Sequence, residues 1–305
     1  MNAVYIEITN VCNLNCSFCP CGKADSKDAD RSGIKCPRDF MSFELFERCI
    51  AEAATVAENV YFHVLGEPTL HPGFGLFLKK LEATPLKLNL TTNGTTIARV
   101  SERILECAAV RQMNFSTHAY AELPRETALT HLQDVLDFCK MANAVRPDLY
   151  INLRLWNVGD DSSDAWNRTM LAKVGEAFGS NIELGHFCSR HKSFNVTGRI
   201  YLHQDSRFEW PAASSSTERR EGGDPGKIAG TCRALDTHVA ILHDGRVVAC
   251  CLDHSGQISL GQIQEQSLAE ILDSPTATNL REGFEKHELR HPFCQSCSFC
   301  KRFGK

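Results

Sequence analysis

Two hydrophobic periods alternate along residues 1–187. Short runs with a period of two, near residues 3–9, 60–65, 86–91, 112–117, 149–156 and 181–186, read as strands. Between them, apolar residues return every three or four positions. One such segment opens at Ser42, a suitable N-cap, and carries Phe43, Phe46, Ile50, Ala53 and Ala57 on one face. Another opens near Pro124, a residue favoured in a first helical turn, with Leu132, Val135, Leu136 and Cys139 along its buried stripe. Six strand–helix units of this kind predict a barrel-like parallel sheet with right-handed crossovers.

The two faces of these strands differ. Leu88/Leu90, Met113/Phe115 and Ile151/Leu153/Leu155 suit packing against outer helices, whereas Glu7/Thr9, Asn89/Thr91, Asn114/Ser116 and Asn152/Arg154 share the other face. A closed eight-stranded barrel fills its interior with branched apolar side chains. A polar interior predicts an open barrel around a polar ligand cavity. Residues 205–231 are polar and turn-rich, as is the stretch 23–39, and the former reads as a linker or lid. Val239 to Cys250 then reads as a β-hairpin, with Asp244-Gly245 as a two-residue turn in which both residues take positive φ. The expected fold is α/β: a partial (β/α)6 barrel of TIM type over 1–187, a linker or lid over 188–231, and a small α+β domain containing the hairpin over 232–305.

Composition alters this picture mainly through cysteine. With 43% hydrophobic residues, 23% charged residues and a net charge of −4, the chain offers no electrostatic reason to expect nucleic acid or an anionic membrane as partner. No segment reads as a signal peptide or as an apolar run of membrane-spanning length. Fifteen cysteines without an export signal argue for the reducing cytoplasm and for metal binding, and their odd number forbids complete internal pairing.

Three of them, Cys12, Cys16 and Cys19, follow the first strand in the run Thr9-Asn-Val-Cys-Asn-Leu-Asn-Cys-Ser-Phe-Cys19. An iron–sulfur cube is normally held by four thiolates, so a loop offering three leaves one iron open. A zinc knuckle is the alternative, although zinc sites favour paired spacings that close a tetrahedron. The C-x3-C-x2-C spacing, with Phe18 before the third cysteine, resembles the radical S-adenosylmethionine (SAM) superfamily. That resemblance implies a [4Fe–4S] cluster whose open iron chelates SAM, with reduction by a flavodoxin- or ferredoxin-type donor releasing a 5′-deoxyadenosyl radical.

Function in parallel β/α folds gathers at the carboxyl ends of strands, and the other motifs fall there. Leu65-Gly66-Glu67-Pro68 resembles the family's Gly-Glu-Pro motif, in which the glutamate binds the SAM amino group; Leu65 replaces the commoner glycine. Thr92-Asn93-Gly94 resembles a turn common in the same proteins, and Asn-Gly is in any case a good turn. Ser116 and Arg154 point inward and, by the same resemblance, hold the ribose and carboxylate of SAM. His118, Asn157, His186 and Cys188 lie at strand ends as candidate substrate contacts.

In the last third, Cys232-x12-Gly245-x4-Cys250 is followed by Cys294-x2-Cys297-x2-Cys300. This resembles the auxiliary-cluster domain called twitch, a shortened relative of SPASM, and implies a second [4Fe–4S] cluster on Cys232, Cys250, Cys294 and Cys297. Cys251 or Cys300 can replace one of these, and the spacing also permits structural zinc. Cys49, Cys107 and Cys139 read as core residues, while Cys21 and Cys36 are unassigned. The expected activity is SAM-dependent hydrogen abstraction from an unactivated carbon, by a dehydrogenase or an epimerase of a small polar, aminoglycoside- or cyclitol-like substrate. Cys251 and Cys188 are candidate hydrogen-atom donors in the epimerase. Peptide modification is the alternative, made less favoured by a start directly on the first strand. A non-enzymatic electron carrier or zinc-stabilised binding protein is disfavoured by Glu67, for which such a protein has no use.

Overall fold

The computed structural model describes residues 1–23, 38–182, 192–207, 209–211 and 228–302. In chain order the first elements are β1 (Ala3–Ile6), α1 (Phe43–Val56), β2 (Asn59–Tyr61), α2 (Phe74–Glu82), β3 (Lys87–Thr92), α3 (Ile97–Glu106), β4 (Val110–Phe115), α4 (Arg125–Val145), β5 (Tyr150–Leu155) and α5 (Asp164–Phe178). They are followed by β6 (Ser193–Thr197), β7 (Ile200–Gln204), β8 (Ile228–Ala229), β9 (His238–Ile241), β10 (Arg246–Val248), β11 (Ser259–Gln262), α6 (Leu268–Leu272), α7 (Pro275–Glu285), β12 (Glu288–Leu289) and α8 (Pro292–Ser296). The chain divides into one unit of residues 1–71, 83–86 and 208–305 and a second of residues 72–82 and 87–207. Parallel strands joined through helices make this an α/β fold of the partial TIM-barrel type.

In the first unit the strand order is β11-β10-β9-β1-β2. Val4 and Ile6 are fully buried, and β1 pairs in parallel with β2 on one side and β9 on the other, Ala3 opposite both Asn59 and His238. The start of the chain is thus flanked by a strand from its last third. Helix α1 begins as its sequence dictates, with Ser42 Oγ accepting from Leu45 N at 3.2 Å. It buries Phe46, Cys49, Ile50 and Ala53; burying each large apolar side chain contributes about 1.5–3 kcal/mol, more than the cap. Helix α6 packs on α1, and its capping box of Ser267 and Glu270 is supplemented by Glu52, whose Oε2 accepts from Leu268 N at 2.8 Å.

The β9–β10 hairpin forms, but its turn corrects the sequence expectation. Gly245 alone takes positive φ (+89°), and Asp244 does not. Leu242 N donates to Arg246 O at 2.9 Å and Gly245 N to Leu242 O at 2.9 Å, which makes His243, Asp244 and Gly245 a three-residue loop. A type I turn followed by one left-handed glycine satisfies the strand twist with a single positive φ, so aspartate is spared the strained conformation.

In the second unit the order is β3-β4-β5-β7-β6, parallel except for the β6–β7 hairpin. The expected apolar face is realised: Leu88, Leu90, Met113, Phe115, Ile151, Leu153 and Leu155 are all buried. The polar face partly satisfies itself. Asn152 Nδ2 and Gln112 Nε2 donate to Asn114 Oδ1 at 3.0 and 2.8 Å, so a buried amide whose unmet desolvation costs about 1–3 kcal/mol is paired across strands. The strand beside β5 is β7, not the segment expected at 181–186; residues 181–182 are not strand and 183–186 lie outside the described residues. The buried alternation Ile200, Leu202, Gln204 carries β7 into that place, inside the stretch expected to be linker.

Candidate cofactor and active site

The cysteine loop leaves β1 through two residues that fix its path. Thr9 Oγ1 donates to Asp39 O at 2.8 Å and accepts from Val11 N at 3.0 Å, and Asn10 Oδ1 accepts from Asp39 N at 2.8 Å. Inside the loop Cys19 N donates to Cys16 O at 3.1 Å and Leu14 N to Cys12 Sγ at 3.4 Å. Cys12, Cys16 and Cys19 are thiols outside any disulfide and partly exposed, as thiols that receive an external group must be, and Phe18 is also partly exposed. Cys21, unassigned from sequence, is buried with its Sγ donating to Asn10 O at 3.3 Å. Its hydrogen bond with Cys12, followed by burial, holds the Cys12 thiol well above the usual range.

Gly66 brings the second motif against this loop. Its φ is +73°, and a Cβ there would lie 2.3 Å from Thr9 O. Glu67 N donates to Val11 O at 2.8 Å. The Glu67 carboxylate is 1% exposed; its Oε1 accepts from Thr69 N at 3.1 Å and Thr69 Oγ1 at 2.6 Å, and its charge is felt by Cys12. A buried carboxylate and the cysteine triplet are therefore assembled on one backbone crossing.

In the second unit the remaining candidates occupy strand ends. Asn93 Oδ1 accepts from Thr95 N and Thr95 Oγ1 at 3.0 and 2.8 Å, closing the turn with its side chain. Ser116 N donates to Thr92 O at 2.9 Å. The Arg154 guanidinium lies 4.4 Å from the centre of the Trp156 ring, an arrangement that sequence reasoning did not anticipate. Trp156 in turn stacks on His118 and donates from Nε1 to His203 Nδ1 at 2.9 Å. Burial, with the charges of Arg154 and Arg207, lowers His118 to about 4, so it is neutral at physiological pH; its Nδ1 lies 3.3 Å from Arg154 O. Asn157 is fully buried, and neither its side-chain oxygen nor its nitrogen finds a partner among the described residues. His186 and Cys188 lie outside the described residues.

Six thiols gather electrostatically in the last third. Burial raises Cys232, Cys250, Cys251 and Cys294; Cys232 and Cys297 add to the rise at Cys294, and Cys232 and Cys294 to that at Cys250. Among the described residues no three of them are yet drawn into a ready metal-holding set. Cys232 Sγ accepts from Ala234 N at 3.4 Å, and Cys300 turns its thiol to Cys297 O at 2.9 Å. Soft thiolates on one scaffold fit an iron–sulfur group, whose bonding supplies the closure that mutual thiolate repulsion resists. Cys251 differs: pushed up to about 12, first by burial, it packs with Tyr5 against Val64, Ala240, Leu242 and Val248. Asp253, another residue missed from sequence, is wholly buried and accepts from Gln257 N and Ile258 N at 2.8 and 2.7 Å, shaping the loop after Cys251. Cys49, Cys107 and Cys139 are buried core residues, as their helical stripes indicate.

Fold and thiols together define a partial-barrel protein equipped for two iron–sulfur groups. Comparison with known proteins agrees. The radical SAM superfamily model matches residues 6–158, half of the chain, and the iron–sulfur cluster-binding SPASM domain matches residues 232–301. The chain belongs to the radical SAM superfamily, and its cofactors are SAM and [4Fe–4S] clusters. It is 27% identical to the tungsten-containing aldehyde ferredoxin oxidoreductase cofactor-modifying protein of Pyrococcus furiosus, across 98% of this chain and 87% of that one. It is 25% identical to a probable GTP 3′,8-cyclase of Pyrococcus horikoshii, across 59% of this chain and 54% of that one. Among solved structures, BtrN in complex with AdoMet and 2-DOIA superimposes with a TM-score of 0.54 at 13% identity, covering 98% and 93% of the two chains. Native anSMEcpe with bound AdoMet gives 0.58 at 15%, covering 99% and 89%. Streptococcus suis SuiB bound to its precursor peptide SuiA gives 0.57 at 14%, covering 98% and 70%. No helix among the described residues is long and apolar enough to cross a membrane.

Proposed function

We propose that the chain is a radical SAM dehydrogenase of a small polar substrate, with a core domain over 1–187 and an auxiliary-cluster domain over 232–305. Bound SAM and its cluster would supply the radical that removes a hydrogen atom from carbon, and an auxiliary cluster would accept the second electron. Cys12, Cys16 and Cys19 would hold the first cluster, with Phe18 beside it. Glu67 would grip the SAM ammonium and Arg154, steadied on Trp156, its carboxylate. Ser116 would reach the ribose, and Asn93 would hold the adjoining turn. Cys232, Cys250, Cys294 and Cys297 would hold the auxiliary cluster. The unpartnered amide of Asn157 and the neutral His118 suit hydrogen bonding to a hydroxyl-rich substrate.

The observation that favours dehydrogenase over epimerase is the packing of Cys251, the candidate hydrogen-atom donor that lies among the described residues. A hydrogen-atom donor must reach the substrate radical, whereas this thiol is seated against an apolar cluster and Tyr5. Loss of one proton and one electron from a hydroxyl-bearing carbon radical then gives a carbonyl. That one electron would leave through the auxiliary cluster, while a flavodoxin- or ferredoxin-type partner would be the donor that reduces the first cluster. Turnover in deuterated solvent tests the reading: product without carbon-bound deuterium is expected, and deuterium on the reacting carbon would replace the dehydrogenase by an epimerase. A second reading, maturation of a cofactor or of a protein that carries one, is favoured by the likeness to the P. furiosus cofactor-modifying protein over nearly the whole chain.

A further inference from the structure

We infer that Glu7 and His243 are positioning residues for the Gly66-Glu67 segment, through which the hairpin of the last third helps to set the affinity for SAM. The inference rests on the reading of Glu67 as the amine-binding carboxylate.

Glu7 stands immediately after β1, and His243 is the first residue of the β9–β10 loop. One carboxylate oxygen of Glu7 accepts from His243 Nδ1 at 2.8 Å, and the other accepts from Leu65 N at 2.8 Å. Glu7 is 1% exposed and the His243 side chain 9%, so the pair is shielded from competing water. Two residues beyond Leu65, Glu67 N donates to Val11 O. The three-residue segment is therefore held at both ends, once by the cysteine loop and once by Glu7. Gly66 between them faces the Thr9 backbone so closely that an added Cβ would lie 2.3 Å from Thr9 O. A buried carboxylate keeps its place only while its charge is matched, and here the match comes from a residue more than two hundred positions away.

The groups facing His243 agree with this role. Burial opposes its protonation most strongly, but the hydrogen bond and charge of Glu7, with the charges of Asp244 and Asp39, outweigh it and raise His243 above the usual range. A raised histidine contributes its charge fully on the acid side. That contribution is lost as pH rises through the folded-state value. The Nδ1 hydrogen bond can persist in the neutral ring, so deprotonation weakens the clamp without abolishing it.

Equilibrium dialysis of SAM against anaerobically reconstituted protein, with iron content measured on the same samples, tests the inference. His243→Ala is expected to raise the SAM Kd by about tenfold with iron unchanged. His243→Asn, whose amide can donate to Glu7, should recover most of that loss. In the wild type the Kd should climb as pH passes the His243 transition, and in His243→Asn this component should vanish; titration of the SAM amine is common to both and cancels. If His243→Ala fails to load iron, the difference between the two pH profiles decides. Identical profiles, or a His243→Ala Kd within twofold of wild type, would overturn the inference. Glu67→Gln separates the two claims. If it weakens SAM binding while the His243 variants do not, only the positioning role falls; if it leaves binding unchanged, the reading of Glu67 falls and takes the inference with it.

Discussion

Gly66→Ala isolates the crossing on which the first site is built. The substitution has two costs. An alanine held at φ +73° loses about 1–2 kcal/mol relative to glycine. Its Cβ would also lie 2.3 Å from Thr9 O and 2.9 Å from both Thr9 C and Asn10 Cα, where real Cβ contacts stop short of 3.0 Å. All three neighbours are backbone atoms, so no side-chain rotation relieves the contact and either the cysteine loop or the Glu67 segment must move. Gly159→Ala is the matched control, with φ +87° and nothing within 4 Å of the added atom. The control should lose about 1–2 kcal/mol, a few degrees in melting midpoint. Gly66→Ala should lose about 3 kcal/mol or more, and it alone should lower iron retention and SAM affinity, both by several-fold. Thermal melting by circular dichroism, iron and sulfide analysis, and equilibrium dialysis read these effects. Matching midpoints in the two variants, with Gly66→Ala retaining wild-type iron and SAM binding, would refute the claim that this backbone contact sets the site.

Two further outcomes follow from the thiols and from the Arg154 support. Replacing Cys12, Cys16 and Cys19 together by alanine should reduce reconstituted iron from about eight to about four per chain; zinc in place of the remaining iron would make the later cysteines structural. Trp156→Leu removes both the aromatic face under Arg154 and the donor to His203. It should weaken SAM binding by about three- to thirtyfold, whereas Trp156→Phe, which keeps a face, should lose less; equal losses would place the contribution in the His203 hydrogen bond.

The sequence carried those features whose cause is local. Ser42 caps α1 because a hydroxyl before an apolar stripe has few better uses, and strand alternation correctly separated Leu88 and Leu90 from Asn89. Tight motifs were legible for the same reason: the backbone around Gly66 admits no side chain, so only glycine stands there. What escaped depends on long-range pairing. Nothing around His243 announces that its ring meets Glu7, and nothing around Trp156 announces that its indole donates to His203. The Asp244-Gly245 turn failed for a subtler reason. The dipeptide suits both a two-residue and a three-residue loop, and pairing of Leu242 with Arg246 decides between them. Likewise β7 wins the place beside β5 through its register, Ile151 opposite Ile200 and Leu153 opposite Leu202, which no local pattern encodes.

The same long-range pairing changes how the last third should be regarded. Strand β9 is hydrogen-bonded alongside β1 from Ala3 to Ile6, Asn2 N donates to Thr237 O at 2.8 Å, and Glu7 N donates to Ile241 O at 2.8 Å. Val64, from the segment leading to Glu67, shares an apolar cluster with Ala240, Leu242 and Val248. The auxiliary hairpin thus supplies one flank of the strand that aims the cysteine loop and part of the packing beneath the Glu67 turn. Removing it would leave β1 with an open edge and would uncover Val64, so the hairpin cannot be treated as an accessory to an otherwise complete core. Cys250 follows β10 by two residues, and β10 is joined to β1 through the β10–β9 and β9–β1 backbone ladders, a stiffer connection than a flexible linker.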